Sequence, residues 1–286
     1  MRAKTGRYNP APLRLRRGRR FLGSLGAVAL IFVAVSPVPV DDLYRARTFV
    51  TGQGETNRGR GFALCLEDVL VKLSGDPSLL GDARLPPLKA RAGDFVAAFH
   101  YRDRMAGIPV HDEQGTRERP YDLYVAFDHA AIDAALHGLG REPWRTRPRV
   151  AVLLGVQDAR ARYVLASDGG RGLGQRQSLA ETAARRGLPL VLPDSAILGR
   201  RGVTYSRLAA GEESPLAAAA KDAGGDVALV GTLAWSEPLL GWVAEWRLDW
   251  QGKSHRWLIR GVSFDDAFRN AVDGAELILS GHGEPR

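Results

Sequence analysis

Residues 149–156 read RVAVLLGV, an unbroken apolar run with no polar side chain after its first residue. A run of this length without alternation suits a strand buried on both faces, which requires covering layers on each side. A second such run, DVALVGTL at 226–233, follows a helical pattern, SPLAAAAKDAGG at 214–225. Between the two runs lie a glycine-rich loop, SDGGRGLGQ, a helix, SLAETAARRG, and a short apolar strand, LPLVLPD. Strands alternating with helices in this way specify a mixed α/β layer sandwich over residues 149–280.

The end of that segment contains a hairpin whose register follows from its turn. In GWVAEWRLDWQGKSHRWLIR the alternation places Trp242, Ala244, Trp246, Leu248 and Trp250 on one face, and Gln251 with Gly252 supplies the two-residue turn. That turn pairs Trp246 with Trp257 and Leu248 with His255. The tryptophan face has two readings: a core beneath the last helix, which carries Phe264, Phe268, Val272 and Leu279, or an aromatic platform for a ligand through Trp242 and Trp246.

Residues 41–140 form the earlier α/β domain. DLYRARTFVTG alternates as a strand, and Asn57 is placed to cap the helix on which Phe62, Leu66, Val69, Leu70 and Leu73 recur. SGDP at 74–77 ends that helix with a glycine and a proline. DFVAAFHYRDRM and RPYDLYVAFD read as two strands joined by a polar loop with Gly107, Pro109 and Gly115, and HAAIDAALHGLG as a short helix after Asp128. Residues 141–148, with two prolines, read as a linker, and 281–286 as a tail.

Charge is segregated. Eight of the 40 Lys and Arg fall in residues 1–20 with no acid among them, leaving 32 against the chain's 32 Asp and Glu. The pI near 10 therefore reflects the amino terminus, and the neutral body argues against nucleic acid as a partner. Residues 21–40 are uncharged and begin FLGSLGAVALIFVAV, so 1–40 has the form of an export signal. Two outcomes stay open: a signal cut near Ala34 and Ser36, or a retained anchor over 21–40 that provides the only membrane contact. Either places the body in the periplasm. Cys65 is the sole cysteine, so no internal disulfide forms.

No motif of catalysis is complete. TGQGETNRGRGF at 51–62 lacks the Lys and Ser/Thr of a phosphate loop, because Phe62 and Ala63 follow its last glycine. Asn57 stands where a dinucleotide fingerprint needs glycine. The stretch reads as a strand-to-helix joint whose glycines permit a bulge and a close crossing, with Arg58 and Arg60 the candidates for an anion at the helix start. SDGGRGLGQR fails the phosphate-loop test in the same way. The six histidines show no zinc spacing, no cofactor is implied, and no catalytic residue is assigned. Ser263 to Asp266 fits a capping box. Asp194, in LPDSA at the end of a buried strand, is the remaining candidate for a small-ligand or enzymatic site, since α/β sheets place sites there.

YRARTFVTGQGETNRGRGFALCLEDVLVKLSGDPSLL, then FHYR, YVAFD, PWRTRPRVAVLL, RGLPLVLPD, DVALVGTL and WRLDWQGKSHRWLIRG, together resemble the DUF2066 family of exported bacterial proteins over about residues 43–280. The second half is also similar in pattern to the amino-terminal domain of TolB and to outer-membrane activators of penicillin-binding proteins. The resemblance implies two small α/β domains in the cell envelope and supplies no catalytic residues. It suits a protein-binding or assembly-accessory role with an envelope protein as partner. The neutral body makes one outcome testable: in filter binding, residues 41–286 should show no salt-dependent retention of DNA.

Overall fold

The computed structural model describes residues 39–107 and 119–285, all within one compact unit. The export segment up to residue 38 and the loop residues Pro109, His111 and Gly115 lie outside the described residues. Among the described residues no helix is long and apolar enough to cross a membrane.

After a single turn, α1 (Val40–Leu43), strand β1 (Arg45–Thr51) leads into helix α2 (Glu55–Ser74). Helix α3 (Leu85–Ala90), strands β2 (Val96–Asp103) and β3 (Pro120–Phe127) and helix α4 (His129–Gly138) complete the first half. The strands form an antiparallel sheet in the order β1-β3-β2. Its inner face packs against α2 around Leu66, Val69, Leu70 and Leu123. Cys65 belongs to this core, and burial pushes its thiol up to about 12.

Two local expectations shift. Helix α2 begins at Glu55, so Asn57 lies inside its first turn and donates to the Thr51 carbonyl instead of capping the helix. Of the four glycines of TGQGETNRGRGF, Gly59 and Gly61 therefore sit within α2, while Gly52 and Gly54 precede it. β1 and β3 pair without a bulge, and the close crossing falls on Gly61, where a Cβ would come within 2.5 Å of Leu123 and 3.0 Å of Val50.

The second half contains strands β4 (Val150–Gln157) and β5 (Arg162–Val164), helix α5 (Leu173–Arg186) and strand β6 (Leu190–Val191). Helices α6 (Ser195–Arg200), α7 (Tyr205–Ala210) and α8 (Glu213–Asp222) follow. Strands β7 (Val227–Ser236), β8 (Gly241–Trp250) and β9 (Lys253–Val262) and helix α9 (Phe264–Leu279) close the chain. The sheet order is β5-β4-β7-β8-β9, with β6 also against β4. β4 runs parallel to β6 and β7, whereas β7, β8 and β9 form an antiparallel meander. The fold is mixed α/β, with two sheets.

Strand β4 is covered on both faces, as its composition requires. Val150, Val152 and Leu154 join the core beneath α5 and α9. Ala151 and Leu153 join a separate core with Leu198, Leu208 and Leu216 from α6, α7 and α8. The hairpin turn has φ of 50° at Gln251 and 77° at Gly252, and it pairs Trp246 with Trp257 and Leu248 with His255. Helix α9 starts on the expected cap, Ser263 Oγ accepting from the Asp266 amide at 3.1 Å.

Residues 141–148, the segment with linker composition, run through a buried ionic seam between the two halves. Arg147 is 2% exposed at its side chain and Glu276 of α9 fully buried, with Nη1 and Oε1 3.3 Å apart. The Arg147 guanidinium also donates to the carbonyls of Lys72, Arg186 and Gly187, at the ends of α2 and α5, and stacks on Trp144 at 4.3 Å. Cations at helix carboxyl ends are favoured by the exposed carbonyl dipoles. Arg186 adds bonds to Asp273 at 2.7 Å and approaches Asp68 of α2 at 3.9 Å.

Removing Arg147 leaves the carbonyls of Lys72, Arg186 and Gly187 and the Glu276 carboxyl without their donor, a loss of about 3–5 kcal/mol in all. Arg147→Met should lose that much stability in urea unfolding. The seam also sets a pH dependence. Burial pushes Glu276 up from 4.5 to about 8, against the pull of Arg147 and Arg186. The folded state then holds a proton that the unfolded state has released, so this contribution is complete below about pH 4.5 and is lost as pH rises through about 8. Burial lowers Lys72 from 10.5 to about 8, so above that pH the unfolded state holds the extra proton and stability recovers towards pH 10.5. Unfolding free energies measured from pH 4 to 10 should dip near pH 8, and Glu276→Gln should flatten the falling limb and, because the Glu276 charge helps hold the Lys72 proton, start the rising limb at lower pH.

Candidate functional site

Coverage of the second sheet is unequal. On one face α5 and α9 pack over the strands, with Trp246 and Trp257 buried there. On the other face α7 and α8 contact β4 and β7, while the outward side chains Glu245, Arg256, Leu258 and Arg260 of β8 and β9 are exposed. A cleft of about 270 Å³ lies where the helical cover ends, between Leu208–Gly211 and the outer face of β7, β8 and β9.

Its floor holds an unusual pair. Arg247 of β8 and Arg256 of β9 are direct cross-strand partners, an arrangement of like charges that destabilises a sheet unless compensated. Arg247 is also 92% buried, being 8% exposed. Its Nη1 donates to the Gly211 carbonyl at 2.8 Å. Its Nε has no hydrogen-bond partner, and the Asp249 carboxylate, half exposed, stands 3.8 Å away. Gly211 is fitted to this contact: its φ is 71°, and a Cβ there would lie 2.6 Å from Arg247 Nη1. Thr232 and Glu245 give the cleft further polar groups, and Leu208 and Leu258 give it apolar walls.

Of the residues singled out from sequence only Trp246 borders the cleft, and the others lie elsewhere. Asp194 is half-buried and its carboxylate accepts from the Ile197 amide at 2.7 Å, capping α6. Beside it, Asp168 accepts from both the amide and the hydroxyl of Ser195 at 2.8 Å, bonds that lower its pKa. Local bonds thus tie the LPDSA turn to the glycine-rich loop at the strand end. Arg58 packs over the Phe99 ring at 5.8 Å, and Arg60 is exposed on α2. Trp246 is 2% exposed beneath α9, and Trp242, partly buried at the core margin, meets Trp235 edge to face at 5.7 Å. These five residues do not converge. Among the described residues no three His, Cys, Asp or Glu side chains are grouped to hold a metal.

The sequence carries a signal for the arginine pair. The Gln251–Gly252 turn that sets Trp246 opposite Trp257 also sets Arg247 opposite Arg256, one position along on the other face. The burial of Arg247 depends on Gly211, 36 residues earlier, and no local pattern reports it.

A family model described as a domain of unknown function, DUF8605, matches residues 38–145. No curated protein and no solved structure matches the chain.

Proposed function

We propose that this protein is a non-enzymatic component of the bacterial cell envelope, exported to the periplasm, that binds a partner protein through the uncovered half of its second sheet. The observation that carries the reading is the arginine pair in the cleft. A buried guanidinium whose Nε lacks a hydrogen-bond partner, set against a second arginine, is stabilised when a partner brings negative charge and desolvates the site. The basic and apolar amino terminus and the resemblance to exported proteins support the envelope address, and the bonded state of Asp194 favours the cleft over the LPDSA turn.

The test is site-specific crosslinking in cells, with a photoreactive residue at Leu258 or, as a control, at the exposed Glu181 of α5. A discrete adduct with one envelope protein is expected at 258 and not at 181. Arg256→Glu should reduce it by at least about tenfold, since reversing a charge against an acidic partner is worth more than about 1.4 kcal/mol. An adduct insensitive to Arg256→Glu, or equal at both positions, would sink the proposal.

A further inference from the structure

We infer that the cleft between α7 and the β8–β9 hairpin is a monocarboxylate subsite that takes the carboxyl-terminal aliphatic residue of an extended segment, its carboxylate on Arg247 and Arg256 and its apolar side chain against Leu258. The inference rests on the protein-binding reading and specifies the chemistry recognised.

Size points to one residue. At about 270 Å³ the cleft falls below the roughly 300–1,000 Å³ of pockets that enclose a whole small ligand. It is an open notch in a sheet face, a form that receives a side chain from a chain passing over it.

Charge points to a monoanion. Arg247 and Arg256 line the cleft together with Glu245, so its lining has a single net positive charge, and Asp249 adds a carboxylate at the rim. With Asp249 counted the two arginines face two acids, so a dianion such as phosphate is repelled more strongly than a monocarboxylate held between the arginines. Arg247 is pre-organised for this, because its Nη1 bond to the Gly211 carbonyl holds the guanidinium plane while Nε is left without a hydrogen-bond partner. Guanidinium groups fixed in this way bind carboxylates through directed, charge-assisted bonds.

The apolar walls fix what accompanies the carboxylate. Leu258 is 37% exposed and lines the cleft together with the buried Leu208. An aliphatic side chain laid against Leu258 removes apolar surface of both from water, while Thr232 offers a hydroxyl to the backbone of the incoming segment. A carboxyl-terminal aliphatic residue has this combination.

The experiment titrates the full-length protein, labelled at arginine, with N-acetyl-leucine, N-acetyl-leucinamide or inorganic phosphate, following Nε–H resonances by NMR. Arg247 is assigned by the signal lost in Arg247→Lys. Saturable movement of the Arg247 signal is expected with N-acetyl-leucine, at least tenfold weaker in Arg256→Gln, and absent with the amide. Phosphate binding more tightly than N-acetyl-leucine, an equal response to the amide, or no response to any probe would each overturn the inference. Failure here with a charge-dependent crosslink at 258 would leave the protein-binding reading standing. Success here without that crosslink would leave a carboxylate site and remove the protein partner.

Discussion

Arg147 is the interaction on which the two halves depend. Its guanidinium reaches the carboxyl ends of α2 and α5 and the carboxylate of α9 at once, so three helices from both sheets meet on one side chain. The desolvation cost of such a group is offset only when nearly every donor is satisfied. The carbonyl acceptors supply that satisfaction, and Trp144 covers the guanidinium face. Every other charge in the seam is arranged around this one. Arg186 shares Glu276 and reaches towards Asp68, and Lys72, whose carbonyl Arg147 engages, turns its ammonium away to the Arg45 carbonyl at 2.6 Å.

A fixed seam has consequences across the second sheet. With α5 and α9 held against α2, both helices are committed to one face, and the shorter α6, α7 and α8 are left to cover the other. They suffice for β4, whose Ala151 and Leu153 are buried on that side, and their cover ends over β7. The β8–β9 hairpin is accordingly apolar on its inner face and charged on its outer one, the alternation of an antiparallel pair with one solvated face. The cleft is the step between covered and uncovered sheet, and Gly211 at the end of α7 marks its edge.

What was legible in the sequence was whatever a short period or a turn determines. The unbroken apolar character of β4 implied cover on both faces, the Gln251–Gly252 turn set the hairpin register to the residue, and Ser263 placed the start of α9. The beginning of α2 was misplaced because Gly54, with no side-chain cap, starts the helix ahead of the better capping residue Asn57. The seam was hidden for a different reason. Its members at positions 68, 72, 147, 186 and 276 are spread over more than 200 residues, and each taken alone reads as an ordinary surface charge. The linker composition of 141–148 was real, yet two prolines and several arginines describe equally well an extended strap whose one buried arginine binds helix ends.

The same limit explains why the glycine-rich stretches drew attention that the cleft did not. Clustered glycines stand out in a sequence, but at 51–62 their use is geometric, with Gly61 letting α2 approach β3 to within a side chain's thickness. A cross-strand arginine pair is inconspicuous in one dimension because its members are nine residues apart and belong to alternating runs dominated by tryptophan. In three dimensions it is the costlier feature, since like charges face each other with one of them withdrawn from water. At Arg247 the guanidinium Nε has only the distant, half-exposed Asp249 to answer it, much as Glu276 Oε2 in the seam has only Arg186 at 3.8 Å. The seam is closed by three helices whereas the cleft opens on an uncovered sheet face, so we place the proposed external group there and not at the glycine loops or the Asp194 turn.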